Sequence, residues 1–157
     1  MDDRSSSPKP LANIYIMSGL LEAFDWFDRA LHDLLAERGI PYLTKTQSMI
    51  MLSVTIGMHR PIEIARRLRI SRQAIRHAAN QLVAMNLLEV VDDEHDKRGR
   101  RLVFHRSFAP TRKLAESIIR DLEAELRSRI GAENVETLDR ILSMDWGEPV
   151  SSRDELK

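Results

Sequence analysis

The chain has 157 residues, equal numbers of basic and acidic side chains and no cysteine. That length suits one domain with a real core, burying roughly 68–70% of its unfolded surface, and the missing thiols exclude disulfides, thiolate metal sites and cysteine redox switches. No uncharged apolar run reaches a membrane-spanning length, and MDDRSSSPKP lacks the apolar centre of a secretion signal, so the expectation is a soluble cytoplasmic protein with no membrane partner.

Zero net charge argues against a polyanionic partner only until the charge is followed along the chain. Residues 1–56 hold 5 basic against 7 acidic side chains, residues 57–113 hold 13 against 6, and residues 114–157 hold 6 against 11. The excess of positive charge is therefore central. Acidic flanks around a basic centre describe a scaffold that meets polyanions through one surface.

Residues 1–10 read as a disordered tail. A helix is expected from Leu11 to about Arg38, with Ile14, Met17, Leu21 and Phe24 on one stripe and Leu20, Phe27, Leu31, Leu34 and Leu35 widening it. Gly39 and Pro41 stop it. Thr44-Lys-Thr-Gln47 has the form of a capping box, so a second helix starts there and runs through Ile56 to Gly57. Pro61 suits the first position of a short third helix that packs through Ile62, Ala65 and Leu68, and Arg69 and Ile70 make the turn.

Ser71 is a good N-cap for RQAIRHAANQLVAM, whose faces separate at 100° per residue. Ile75, Ala78, Ala79, Leu82 and Met85 fall on one side, while Arg72, Gln73, Arg76, His77 and Asn80 span an arc of about 140° opposite them. The first group can pack; the second can touch something outside. Asn86 can adopt the left-handed conformation that ends the helix. Leu87–Val91 and Arg101–Arg106 then read as strands around the nine-residue loop DDEHDKRGR, a candidate wing. Pro110 suits the start of a long helix with Leu114, Ile118, Leu122, Leu126 and Ile130 at every fourth position, and Gly131 ends it. A last helix, about Ala132–Met144, carries Val135, Leu138, Ile141 and Leu142; Trp146 is positioned to pack beside it, and residues 147–157 read as a flexible tail.

The terminal helices carry more apolar surface than a small winged-helix core buries easily. A second copy pairing along helical-bundle seams would cover it; both helices folding back over the central motif of the same chain is the alternative.

This order of elements resembles the MarR (multiple-antibiotic-resistance regulator) family of bacterial winged helix-turn-helix transcription factors over about Leu11–Met144. Its most specific stretch is Ile62–Phe104, including the triplet Asp96-Lys97-Arg98 where the family has a similar one. Two departures are Asn86, where the family often has glycine, and Phe104-His105 followed by RSFAP in place of the Leu-Thr pair that usually closes the wing. The resemblance implies a mainly α fold with a small β-wing, a single domain over 11–146 with a DNA-binding lobe at about 42–108, and dimerisation helices at 11–38 and 110–146. It implies a homodimeric repressor on a near-palindromic operator, released by a small aromatic or anionic effector.

Carried onto this chain, the pattern puts the helix after Ser71 into the major groove, with Arg72, Gln73, Arg76, His77 and Asn80 facing it. The chemistry agrees, since arginine pairs bidentately with guanine and glutamine or asparagine with adenine. In the wing, Arg98 and Arg100 are the candidates for the minor groove, Lys97 and Arg101 for phosphates, and Asp96 for orienting Arg98. Arg66, Arg67 and Arg69 are candidates for backbone contact or ordinary surface charge. The effector region would include Tyr15, Trp26, Tyr42 and Met49, which serve equally as core, and no ligand site is assigned. The five histidines, His32, His59, His77, His95 and His105, have no metal-ligand spacing, and there is no phosphate loop or nucleophile elbow, so neither a metal, a cofactor nor catalysis is expected. The rival reading is a winged-helix module that uses its basic face to bind an acidic protein.

Overall fold

The computed structural model describes residues 15–94 and 96–152, without the side chains of Lys97 and Arg98. The expected tail at 1–10, the helix start at 11–14, His95 and residues 153–157 lie outside the described residues. The element order is α1 (Ile16–Ala36), α2 (Lys45–Thr55), α3 (Pro61–Leu68), α4 (Arg72–Ala84), β1 (Leu88–Asp93), β2 (Asp96–Phe104), a 3₁₀ turn (Arg106–Phe108), α5 (Ala109–Ile130) and α6 (Ala132–Leu142). Helices with a two-stranded antiparallel sheet make this a winged helix-turn-helix, the expected fold class.

Local chemistry accounts for most boundaries. At α2 the capping box is complete: the Gln47 N–H donates to the Thr44 hydroxyl and the Thr44 N–H donates to Gln47 Oε1 at 2.8 Å. Pro61 opens α3, where its missing N–H costs nothing. The turn into α4 uses Arg69 in the left-handed region (φ 53°), an unusual role for a side chain without a short polar cap. Ser71 then caps α4 by accepting from the Ala74 N–H at 3.1 Å. Ser71→Ala should cost about 1 kcal/mol, read as a lower urea midpoint at unchanged slope. Asn86 (φ 55°) stops the helix as expected.

The core lies under the helix-turn-helix. Ile50 and Val54 of α2, Ile64 and Ala65 of α3, and Ile75, Ala78, Ala79 and Leu82 of α4 close on Leu87, Leu88, Leu102 and Phe108. The inner face of α4 is the one read from the sequence, with Met85 half-buried at its end.

The wing differs from expectation. β2 begins at Asp96 and ends at Phe104, so most of the nine-residue segment is strand. Cross-strand pairing overrides its poor local propensity: Val91 lies opposite Arg101 and Asp92 opposite Arg100, and the register then shifts so that Asp93 faces Asp96. Arg106 belongs to the 3₁₀ turn, which His105 caps by accepting from the Ser107 N–H, so the departure at Phe104-His105 supplies a helix entry. That turn leads into α5 at Ala109, one residue before Pro110.

Helix α1 is joined to α2 by polar contacts. The buried His32 ring lies with its Nε2 3.3 Å from the Ser48 hydroxyl and packs tilted against the Tyr42 ring, centroids 4.6 Å apart. The Lys45 ammonium donates to Asp25 and lies over the Phe24 ring. That hydrogen bond, with the charges of Lys45 and Arg29, holds the Asp25 carboxyl below its ordinary value. A lowered folded-state value means a contribution fully present above the unfolded carboxylate pKa, about 3.9, and lost as pH falls through the folded value. Melting curves of wild type and Lys45→Gln should therefore differ slightly near neutrality and converge on acidification.

The chain divides into two compact units, with the boundary between Ile119 and Arg120, within α5. In the first, Ile118 is buried; in the second, Leu122 and Val135 are buried while Ile130, Ile141, Leu142 and Met144 stay exposed. Trp146 donates from its indole to the Ile141 carbonyl at 3.0 Å, beside the last helix as expected. No helix among the described residues is long and apolar enough to cross a membrane.

Candidate nucleic-acid interface

The hydrophobic period of α4 that buries Ile75, Ala78, Ala79 and Leu82 turns the other positions outward. Ser71, Arg72, Gln73, Arg76, His77 and Asn80 are all exposed, on one helix. Arg66 and Arg67 of α3 and Arg69 of the turn are exposed as well. Among the described residues none forms an ion pair with Arg66, Arg67, Arg69, Arg72 or Arg76. By contrast, Arg112, Arg127 and Arg129 are each paired with a glutamate one turn away on their own helix. Like charges left unneutralised within a short segment repel one another and raise the local positive potential. Such a surface is suited to an anion.

Of the wing candidates, Arg100 is exposed and forms an ion pair with Asp92 across the strands, and Arg101 is half-buried opposite Val91. The side chains of Lys97 and Arg98 lie outside the described residues. Both arginines therefore stand on a strand, not on a loop.

Sequence reasoning missed what attaches the wing to the helices. Arg60, just before α3, donates from Nε to Asp93 at 2.6 Å, and the Asp93 side chain is only 2% exposed. This bond raises the Arg60 pKa. Next to it the Leu102 N–H donates to the His59 carbonyl at 2.8 Å, and His59 Nδ1 lies 3.0 Å from the Leu102 carbonyl oxygen. Together these contacts tie the α2–α3 connection to the sheet. Nothing local in the sequence identified Arg60 as the partner of Asp93, which lies 33 positions away.

The aromatic residues considered for an effector are not gathered into one cavity. Trp26 lines an open depression of about 550 Å³ along α1, with Glu22, Arg29 and Asp33. Tyr42 lines another of about 370 Å³ with Gln47, Gln81, Ala84 and Met85. Tyr15 is exposed and Met49 half-buried. Among the described residues no group of three or more acidic or histidine side chains could hold a metal.

A helix-turn-helix with an outward polar helix and a two-stranded wing defines the winged-helix class. Residues 44–99, from the capping box into the second wing strand, match the model of the MarR family, the family that the sequence resembles. No curated protein matches the sequence. Solved structures similar to it include a variant of MarR from E. coli complexed with operator DNA, 25% identical, covering 85% of this chain and 96% of that one with a TM-score of 0.59. The reduced form of E. coli MarR is 23% identical over 82% of this chain and 94% of that one, with a TM-score of 0.63. The transcriptional regulator BldR from Sulfolobus solfataricus is 20% identical over 81% and 91%, with a TM-score of 0.56.

Proposed function

We propose that this chain is a sequence-specific, double-stranded-DNA-binding transcriptional regulator that acts as a homodimer. The observation that carries the reading is the outward face of α4, where Arg72 and Arg76 stand exposed and, among the described residues, without ion pairs, beside Gln73 and Asn80. These are the side chains whose donors and acceptors match guanine and adenine edges in the major groove. The E. coli MarR complex supports it, since that similar protein holds operator DNA. On this reading Ser71 caps the recognition helix and touches phosphate, Arg66, Arg67 and Arg69 meet the backbone, and Lys97, Arg98, Arg100 and Arg101 of the wing lie along the adjacent groove.

Exposed apolar residues support the homodimer. Tyr15, Ile16, Met17 and Leu21 in the first unit, and Ile141, Leu142, Met144 and Trp146 in the second, remain open to solvent in a single chain. A second copy would cover them and bring two recognition helices to successive major grooves, about 34–36 Å apart. The domain limits read from the sequence, 11–146 with a DNA-binding lobe at 42–108, go with this proposal. Repression and release by an aromatic or anionic effector rest on the family resemblance alone, and cytoplasmic location on the composition of the sequence.

Selection of bound duplexes from a random pool at near-physiological salt tests the reading. A two-fold symmetric consensus is expected, together with a steep fall of affinity with salt. Recovery of unenriched sequences would overturn it and favour a protein-binding module.

A further inference from the structure

A chain of three hydrogen bonds runs from the first turn of α2 to the exposed face of α4. Its polarity follows from one fact: the Thr44 backbone N–H can only donate. The Gln47 atom 2.8 Å from it must therefore be the amide oxygen. That assignment turns the Gln47 NH₂ toward Gln81, whose oxygen receives it at 3.0 Å. Gln81 is left with its own NH₂ at 3.1 Å from His77 Nε2. An amide NH₂ has no lone pair to offer, so His77 Nε2 must be the acceptor. Gln47 is only 5% exposed, so water does not readily replace its partners and the sequence of donors cannot easily be inverted at that end.

We infer that Gln47 and Gln81 fix His77 in the tautomer that carries its proton on Nδ1, and that this Nδ1–H makes His77 a specificity-determining residue of the recognition helix. The inference rests on the DNA-binding reading above. Among the described residues Nδ1 has no protein partner, and the ring is exposed on the same face as Arg76 and Asn80. A fixed donor there selects base edges that accept: guanine N7 or O6, adenine N7 or thymine O4. It disfavours the cytosine amino group, which would meet it donor to donor. An isolated histidine can exchange tautomers and read either kind of edge; a histidine wired through a buried glutamine to a capping box is limited to one. Gln47 and Gln81 are positioning residues in this scheme, touching no base themselves.

Two measurements on the 157-residue chain test this. Nitrogen-15 spectra of ring-labelled protein, at a pH where the imidazole is neutral, should show the Nδ1–H tautomer for His77. In Gln81→Leu, a substitution at an exposed position, the pattern should move toward a tautomer mixture; in Gln81→Glu, whose second oxygen must accept from the ring, it should move to Nε2–H. Duplex selection with Gln81→Leu should relax one base position in each half-site, with the discrimination there falling about three- to tenfold while the rest of the consensus is kept. A wild-type spectrum of the Nε2–H form, or a Gln81→Leu consensus identical to wild type, would overturn the inference and leave the regulator reading intact. A wild-type chain that selects no consensus would overturn the regulator reading and, with it, the role of His77 in base discrimination.

Discussion

Arg76→Ala should weaken binding to the selected duplex by about 1–3 kcal/mol, roughly 5- to 150-fold, while binding to random duplex falls far less. The asymmetry is the point of the prediction. Arg76 is exposed and forms no ion pair among the described residues, so its removal breaks nothing inside the protein, and thermal stability should stay within about 0.5 kcal/mol of wild type. What it loses is a planar fork of donors, which in a major groove can engage guanine O6 and N7 together. Titrations of wild type and variant on consensus and random duplex, at several salt concentrations, check it. Equal losses on both duplexes would mean that Arg76 holds phosphate and reads no base.

The opposite face of the same helix carries the largest expected effect on stability. Leu82 is fully buried among Ile50, Ile64, Ile75, Leu88 and Leu102. Leu82→Ala removes that packing and leaves a cavity the close-packed neighbours fill only in part, at a cost of about 2–5 kcal/mol. Against a typical total of about 5–15 kcal/mol this is a large fraction. For a chain of this size it amounts to a melting temperature lower by roughly 5–15 °C. Duplex binding by the folded fraction should be preserved at low temperature, since no outward residue of α4 is touched. A Leu82→Ala protein as stable as wild type would show that α4 is not anchored through this face. The two substitutions lie six positions apart on one helix and are expected to act on separate properties.

The Arg60–Asp93 bond explains why the wing has a defined place relative to α3. Asp93 is almost wholly buried, and an unpaired carboxylate there would be costly, so the pairing constrains where β1 can run. The two His59–Leu102 contacts, one between backbones and one from the His59 ring to the Leu102 carbonyl, add a second attachment on β2. Through these contacts Arg100 and Arg101 are carried on a strand whose position follows the helices.

The features legible in the chain of letters were those whose physics is local. Thr44 and Gln47 are three residues apart, Pro61 and Ser71 act on the turn that follows them, Asn86 acts on its own backbone, and α4 separates its faces by a period of 3.6. Each of these depends on neighbours within about one helical turn, so spacing alone identifies it. The candidate contacts on α4 were legible for the same reason, because a periodic apolar face implies its complement. Tertiary structure decided what depends on distant partners. Asp96–Arg100 is charged and contains a glycine, and it is strand because β1 pairs with it. Arg60 finds Asp93 across 33 residues, and Gln47 finds Gln81 across 34. Such pairs carry no mark in the sequence around either member, since any exposed arginine or glutamine looks the same until folding brings a particular partner within hydrogen-bond reach. Helical period and capping chemistry thus determined which residues α4 presents, whereas long-range packing decided how the wing is held and how His77 is oriented on that face.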